Sequence, residues 1–427
     1  MARTLIHNIS IFDGSGADPF AGEVLVEGQR ITAVARDAQL LPRDQVQLID
    51  GGGATLLPGL IESHAHLGFG ATVDRPLRWR ELDPERQRLV AAEAGRTMLD
   101  FGFTSAYSGG AANAKWEVAL RDEFAGGWLP GPRLRACSFE RGASAVAGTT
   151  RAYAGAAVRE PDVAGVREFV REMVALGVDS VKFLLSGESA VRPGTSRITQ
   201  FYDEEVAAGA EVAHAAGVWL NAHCHSAEAI KMALRHGFRV LYHCTWADEE
   251  AIDLLEAQKD RIFVAPGPGV NYAAIHEAAD FGITPEMAAE QEQVETLARV
   301  SRLMPELRRR GVRVLPGGDY GFPWNPIGRN ARDMELFVTH FGFTPAQALS
   351  AGTMLGGQIM GMGEELGLIR AGYLADLLLI DGNPLKDIRL LQDRARMLLI
   401  MKDGALYKNS LKIGLTTDIG LSCSKGV

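Results

Sequence analysis

The stretch Leu56-Leu57-Pro58-Gly59-Leu60-Ile61-Glu62-Ser63-His64-Ala65-His66 decides how this chain is read. Its apolar run predicts a buried strand. Side chains alternate faces along a strand, so His64 and His66 project the same way from one strand end. Two imidazoles side by side supply half of a metal site. The pair alone is a modest signal, and the residues downstream give it weight.

Downstream of this strand the chain alternates apolar runs with helical patterns. Strands are predicted at 55–61, 103–107, 133–138, 180–185, 218–222, 239–242, 261–265 and 313–315, most entered from a turn glycine such as Gly177, Gly217, Gly237 or Gly311. Helical periodicity lies between them, for example over 84–101, 163–176, 203–216, 227–235 and 290–310. Eight such units in succession predict an α/β fold, a parallel (β/α)8 TIM barrel. An open doubly wound sheet would want a glycine-rich nucleotide loop after its first strand, where this chain has His64 and His66.

Upstream, 5–12, 23–27 and 30–35 read as short strands between Gly, Asp and Pro turns, and Gly367 to Asp381 returns to strand character. Residues 1–57 and 364–408 are therefore expected to form one small β-sandwich domain from both chain ends, with the barrel, 58–363, inserted between. Residues 409–427 read as a flexible tail.

The 427 residues carry 44 basic and 53 acidic side chains, a formal charge of -9. That balance argues against nucleic acid or an anionic membrane as partner. No segment has the length and apolarity of a membrane span, and the first residues lack a signal-peptide core. Cys137, Cys224, Cys244 and Cys423 show no metal spacing, so reduced thiols and a cytoplasmic location are expected. The partner is expected to be a small-molecule substrate, and the protein a homo-oligomer.

Catalytic groups of a barrel sit at the C-terminal ends of its strands. Those places hold His64 and His66 in strand one, Lys182 in strand four, His223 in strand five, His243 in strand six and Asp319 after strand eight. A lysine inside an apolar strand is costly to bury as an ammonium ion, so it needs a partner or must lose its charge.

In these residues the chain resembles the amidohydrolase superfamily, in particular its imidazolonepropionase-like, dipeptidase-like and phenylurea hydrolase-like members. The resemblance runs over about residues 1–408. It rests on His64-Ala65-His66 after Pro58-Gly59-Leu60, Val181-Lys182 followed by Ser186-Gly187, Asn221-Ala222-His223, Tyr242-His243, Gly317-Gly318-Asp319 and the closing Gly367-Leu368-Ile369 with Ala375-Asp376-Leu377. The resemblance implies two divalent metal ions, most often Zn2+. His64, His66 and Asp319 would hold one, and His223 and His243 the other, with a CO2-derived carbamate on Lys182 between them. A buried neutral amine can react with carbon dioxide, and two cations stabilise the resulting anion. The implied chemistry is attack on a carbonyl by a hydroxide held between the metals, with Asp319 as catalytic proton carrier.

His225 shares a face with His223 but lies further out, and is read as a substrate contact or a support for the ligands. Cys224 and Cys244 alternate away from the ligands and read as packing. The loops after the strands offer Trp79, Trp246, Tyr272, Tyr320, Phe322 and Trp324, with Arg192 and Arg197 after strand four. The aromatics suit an aryl amide, carbamate or urea, and the arginines suit a dipeptide carboxylate. Hydrolysis of a C–N bond in a small aromatic substrate is the expected function. A dipeptidase is the alternative, and a mononuclear deaminase the remoter one, because it has no use for Lys182.

Overall fold

A computed structural model describes residues 3–37, 39–76, 84–143 and 160–415. Five strands precede the barrel: β1 (Arg3–Ile11), β2 (Phe20–Glu27), β3 (Arg30–Arg36), β4 (Gln47–Asp50) and β5 (Thr55–Pro58). Eight more follow: β6 (Leu60–Ala65), β7 (Phe103–Ser108), β8 (Arg133–Arg135), β9 (Cys137–Arg141), β10 (Ser180–Leu184), β11 (Trp219–Ser226), β12 (Val240–Trp246) and β13 (Phe263–Ala265). The chain then closes with β14 (Leu377–Ile380), β15 (Met397–Lys402), β16 (Ala405–Asn409) and β17 (Ile413–Leu415).

The run read as one strand over 55–61 is two. It breaks at Gly59, where an added Cβ would lie 2.1 Å from Thr104 Oγ1, so only glycine lets the backbone pass so close. β5 stays with the terminal strands, and β6 opens the barrel.

Strands β6-β7-β8 form one parallel sheet and β9-β10-β11-β12-β13 another. β8 and β9 occupy a single barrel position. Only Ala136 separates them, its carbonyl accepting from Asp179 N and Ser180 N, so the chain changes neighbour from β7 to β10 midway. The eighth position is residues 313–320. Isolated parallel bridges join it to its neighbours, Val314 to Val264 on one side and Tyr320 to Ala65 on the other. With the helices between, this is a (β/α)8 barrel in chain order. The outer strand faces pack on the helices through one large apolar cluster that includes Cys224 and Cys244. Among the described residues no helix is long and apolar enough to cross a membrane.

The terminal strands hydrogen-bond into one nine-stranded mixed sheet, where the sequence suggested a sandwich. The reason is β1. One edge pairs with β2, and the other pairs with β4 over Thr4 to His7 and with β5 over Ser10 and Ile11, across an irregularity at Asn8 with φ 55°. One strand thus stitches both halves. Apolar residues cluster around Ile6, Val24, Leu56 and Leu379, and separately around Leu5, Leu25 and Val46. The segment after Asn409, read as a tail, continues as β17 antiparallel to β4. Residues 416–427, with Cys423, lie outside the described residues, as does Trp79.

Candidate metal centre

Two groups of ligand-type atoms meet at the C-terminal ends of the barrel strands. His64, His66 and Asp319 form one; His223, His225 and His243 form the other, the atoms within each lying within 4.8 Å of one another. β6 delivers the first pair by alternation. Asp319 and His243 need more than alternation, since both are left-handed, with φ 60° and 73°, and Cys244 follows at 54°. Such conformations cost on the order of 1–3 kcal/mol in non-glycine residues and persist where packing over-determines them. Here they turn two strand ends so that both side chains face the centre.

Burial favours the neutral, ligand-donating form of His64, His223 and His243. Burial, the strongest influence, pushes His64 and His243 well below the ordinary range and His223 to about 4. His66 Nδ1 lies 2.8 Å from Gly110 O, and a carbonyl can only accept, so Nδ1 carries the proton. His66 Nε2 then faces Asp319 Oδ1 at 2.9 Å. A ring nitrogen and a carboxylate oxygen this close need a proton or a metal cation between them. By the same logic His223 donates from Nε2 to Gly187 O, leaving Nδ1 as its lone pair. His243 Nε2 is buried with no hydrogen-bond partner among the described residues. These donors fit divalent ions such as zinc. Burial would raise the Asp319 carboxyl, but His64, His66 and Lys182 outweigh it and hold it well below the usual carboxylate range.

Lys182 projects from β10 into the same space and is 1% exposed. Its Nζ donates to Gly109 O at 2.6 Å, lies 3.8 Å from Glu140 Oε1 and sits 4.1 Å from the Tyr242 ring centroid. Burial lowers its pKa, against the pull of Glu140 and Asp319. That is the environment in which a neutral amine is accessible.

A family model described as "Amidohydrolase family" matches residues 55–406, most of the chain. The chain belongs to the amidohydrolase family. Among its relatives, ochratoxinase of Aspergillus niger is 27% identical over 251 residues, 57% of this chain and 49% of that protein, so the match spans about half the relative's length. Imidazolonepropionase of Rubrobacter xylanophilus is 25% identical over 406 residues, 90% of each chain. A solved prolidase complexed with N-methylphosphonate-L-proline superposes with a TM-score of 0.78 at 26% identity, covering 96% of this chain and all of that one.

In this amidohydrolase His225 joins the second group because β11 runs on to Ser226, four residues beyond the expected end, and its ring stacks on His243 at 4.4 Å. Both its nitrogens are engaged. Nδ1 meets Thr245 Oγ1 at 2.8 Å and Nε2 meets Glu188 Oε2 at 3.3 Å. A carboxylate only accepts, so Nε2 carries the proton, Nδ1 accepts from the hydroxyl, and His225 supports the site rather than offering a lone pair. Burial raises the Glu188 carboxyl, but His225 and His223 outweigh that and bring it down to about 2.

A cavity of about 130 Å³ opens on these groups. Phe322 and Trp324, stacked at 5.1 Å, form one wall, and Ala190, Val191, Val270, Ala274 and Ile283 line the rest with Asn271, Gln291 and Gln293. The other aromatics expected here are elsewhere. Trp246 is sandwiched between Arg197 and Arg299, at 3.7 and 4.0 Å, and donates to Ser196. Tyr272 packs on His276, and Tyr320 is fully buried, donating to Asp333. Arg192 is exposed outside the cavity, and Arg197 is held by Glu292 and Glu295. Neither arginine faces the substrate space.

Glu140, Glu188 and Asn271 escaped the sequence reading. Glu140 lies past the predicted strand end, and a register shift after Cys137 brings it opposite Lys182, which period-two counting does not show. Glu188 and Asn271 sit in a loop and a helix after strands, where no periodicity marks them.

Behind the ligands lies a layer of buried carboxylates. Glu62 accepts from His64 N and Asn330 Nδ2, and burial with Asp333 nearby pushes it up to about 8. Asp333 accepts from Gly317 N at 2.9 Å and Tyr320 at 2.8 Å, and burial pushes it up to about 7. These bonds bracket Asp319 and set its backbone.

Proposed function

We propose that this protein is a binuclear metal-dependent hydrolase of C–N bonds in amides, carbamates or ureas. The observation that carries the reading is the pairing of two donor groups across a buried lysine: His64, His66 and Asp319 on one side, His223 and His243 on the other, Lys182 between. Those residues would hold two divalent ions, most readily zinc, with Lys182 as a carbamate. When bound, such ions polarise a carbonyl and make water a nucleophile at neutral pH.

The chain's own groups do the rest. Asp319, kept ionised, accepts the proton of the attacking water and returns it to the leaving nitrogen. Glu188, fixed by His225, keeps a negative charge beside His223. Phe322 and Trp324 offer a flat apolar wall for an aryl group. Glu292 accepts from Ser189 and Ser196, which fixes the loop that carries Ala190 and Val191 of the cavity lining.

The likeness to a prolidase favours a second reading, a dipeptidase. Its expected carboxylate clamp finds no support in the placement of Arg192 and Arg197. The test is metal analysis of the purified protein with a screen of aryl amides, ureas, carbamates and dipeptides. Two equivalents of metal, loss of turnover on chelation and recovery on adding zinc are expected, with aryl substrates preferred. A protein that takes up no divalent metal, or hydrolyses none of these compounds when loaded, refutes the proposal.

A further inference from the structure

One residue lining the cavity carries a polar atom that nothing in the described protein satisfies. Asn271, on the helix Pro268–His276 after β13, is 5% exposed, and its Oδ1 is buried without a hydrogen-bond partner among the described residues. Which atom is left over follows from its neighbour. Gln293 Nε2 points at Gln291 O, 3.4 Å away, so Gln293 presents Oε1 to Asn271 and accepts from Nδ2 at 2.6 Å. The unpaired group of this cavity-lining residue is therefore an acceptor, not a donor. Gln293 is itself anchored: the preceding Glu292 holds Ser189, Ser196 and Arg197 of the loop after β10. A buried acceptor left without a donor is costly, because it has given up water and gained no partner in return. The same lining holds the apolar Val270, Ala274 and Ile283, and among the described residues no arginine lines the cavity.

We infer that Asn271 determines specificity by accepting an N–H from an uncharged substrate, and that Gln293 positions it. This rests on the hydrolase reading above and narrows it. The favoured substrates are secondary amides, ureas or carbamates that keep a free N–H, and a carboxylate in that place is repelled by Oδ1. Sites built to hydrogen-bond a substrate reject analogues that lack the group, because the protein atom is then left unpaired.

The test uses the zinc-loaded enzyme and matched inhibitor pairs, an aryl phosphonamidate with an N–H and its phosphinate isostere with CH2 in that place, together with N–H and N-methyl aryl ureas as substrates. Wild type should bind the N–H inhibitor about tenfold or more tightly than its CH2 counterpart. Asn271→Ala should bring that ratio close to one by weakening only the N–H member, and Asn271→Asp, which keeps an acceptor, should retain it. Gln293→Leu should blunt the ratio while metal content stays at the wild-type level. An unchanged ratio in Asn271→Ala, or tighter wild-type binding of free-carboxylate compounds than of their amides, overturns the inference. If loaded wild type turns over no C–N substrate at all, the hydrolase reading fails first and this one falls with it. Turnover without N–H discrimination sinks this one alone.

Discussion

Asp333→Asn tests whether the carboxylate layer behind the ligands is protonated at neutral pH. Asp333 is fully buried, and its Oδ2 and Oδ1 accept from Gly317 N and Tyr320. Burial moves its pKa from 3.8 to about 7. The folded protein thus keeps this proton up to about pH 7, whereas the unfolded chain releases it near 3.8. The group's contribution to stability is fully present below 3.8 and is lost as pH rises through 7. Each pKa unit is worth about 1.4 kcal/mol, so the span amounts to roughly 4 kcal/mol. Asparagine has no such proton; its Oδ1 still accepts from Gly317 N and its Nδ2 donates to the Tyr320 hydroxyl once that turns to accept, while the bond from Gly269 N is lost at every pH alike. Glu62 loses a like-charged neighbour in the variant, which shifts its own titration in the same sense. Urea midpoints of chelated wild type and variant, measured from pH 4 to 8, should therefore diverge by an amount of this order, with the variant gaining on wild type as pH rises. Parallel curves across that range would show that Asp333 is ionised throughout and that the inferred protonation is wrong.

Lys182→Ala should lose bound metal and turnover together, with partial return on adding a short carboxylic acid and zinc. Lys182→Arg should show no return, because a guanidinium stays cationic and forms no carbamate; full activity in either variant would remove the bridge from the proposal. Gly109→Ala places a methyl 2.2 Å from His64 Cδ2 and 3.2 Å from His66 Nε2, rings that stack on Tyr242 and Phe69 and cannot easily retreat. The expected result is a folded protein destabilised by about 1–3 kcal/mol with markedly weaker zinc affinity by competition with a chelator; wild-type affinity would contradict the packing. Trp324→Ala should raise KM for an aryl substrate by up to about 3 kcal/mol, whereas Trp246→Ala, outside the cavity, should leave KM nearly unchanged. Equal effects of the two would refute the placement of the aryl wall.

The ligand-bearing strands were legible in the sequence because strand alternation and the strand-end rule are local. An apolar run stopping at His64-Ala65-His66 states which way both rings face, and a lysine in the middle of Val181-Lys182-Phe183 betrays its oddity without any partner in view. The barrel likewise followed from the order of runs and turns. What tertiary structure alone decided depends on residues far apart in the chain. His225 meets His243 because the backbone at His243 and Cys244 turns left-handed, which period-two reasoning does not contain. Arg197 looked free to clamp a carboxylate until Glu292 and Glu295, nearly a hundred residues on, neutralised it and Trp246 stacked beneath. Asn271 became a candidate reader of substrate only through the amide of Gln293 and the carbonyl of Gln291. Periodicity encodes which face a side chain takes. Whether a polar group on that face is already satisfied is settled by packing, since the partner is chosen in space and not along the chain.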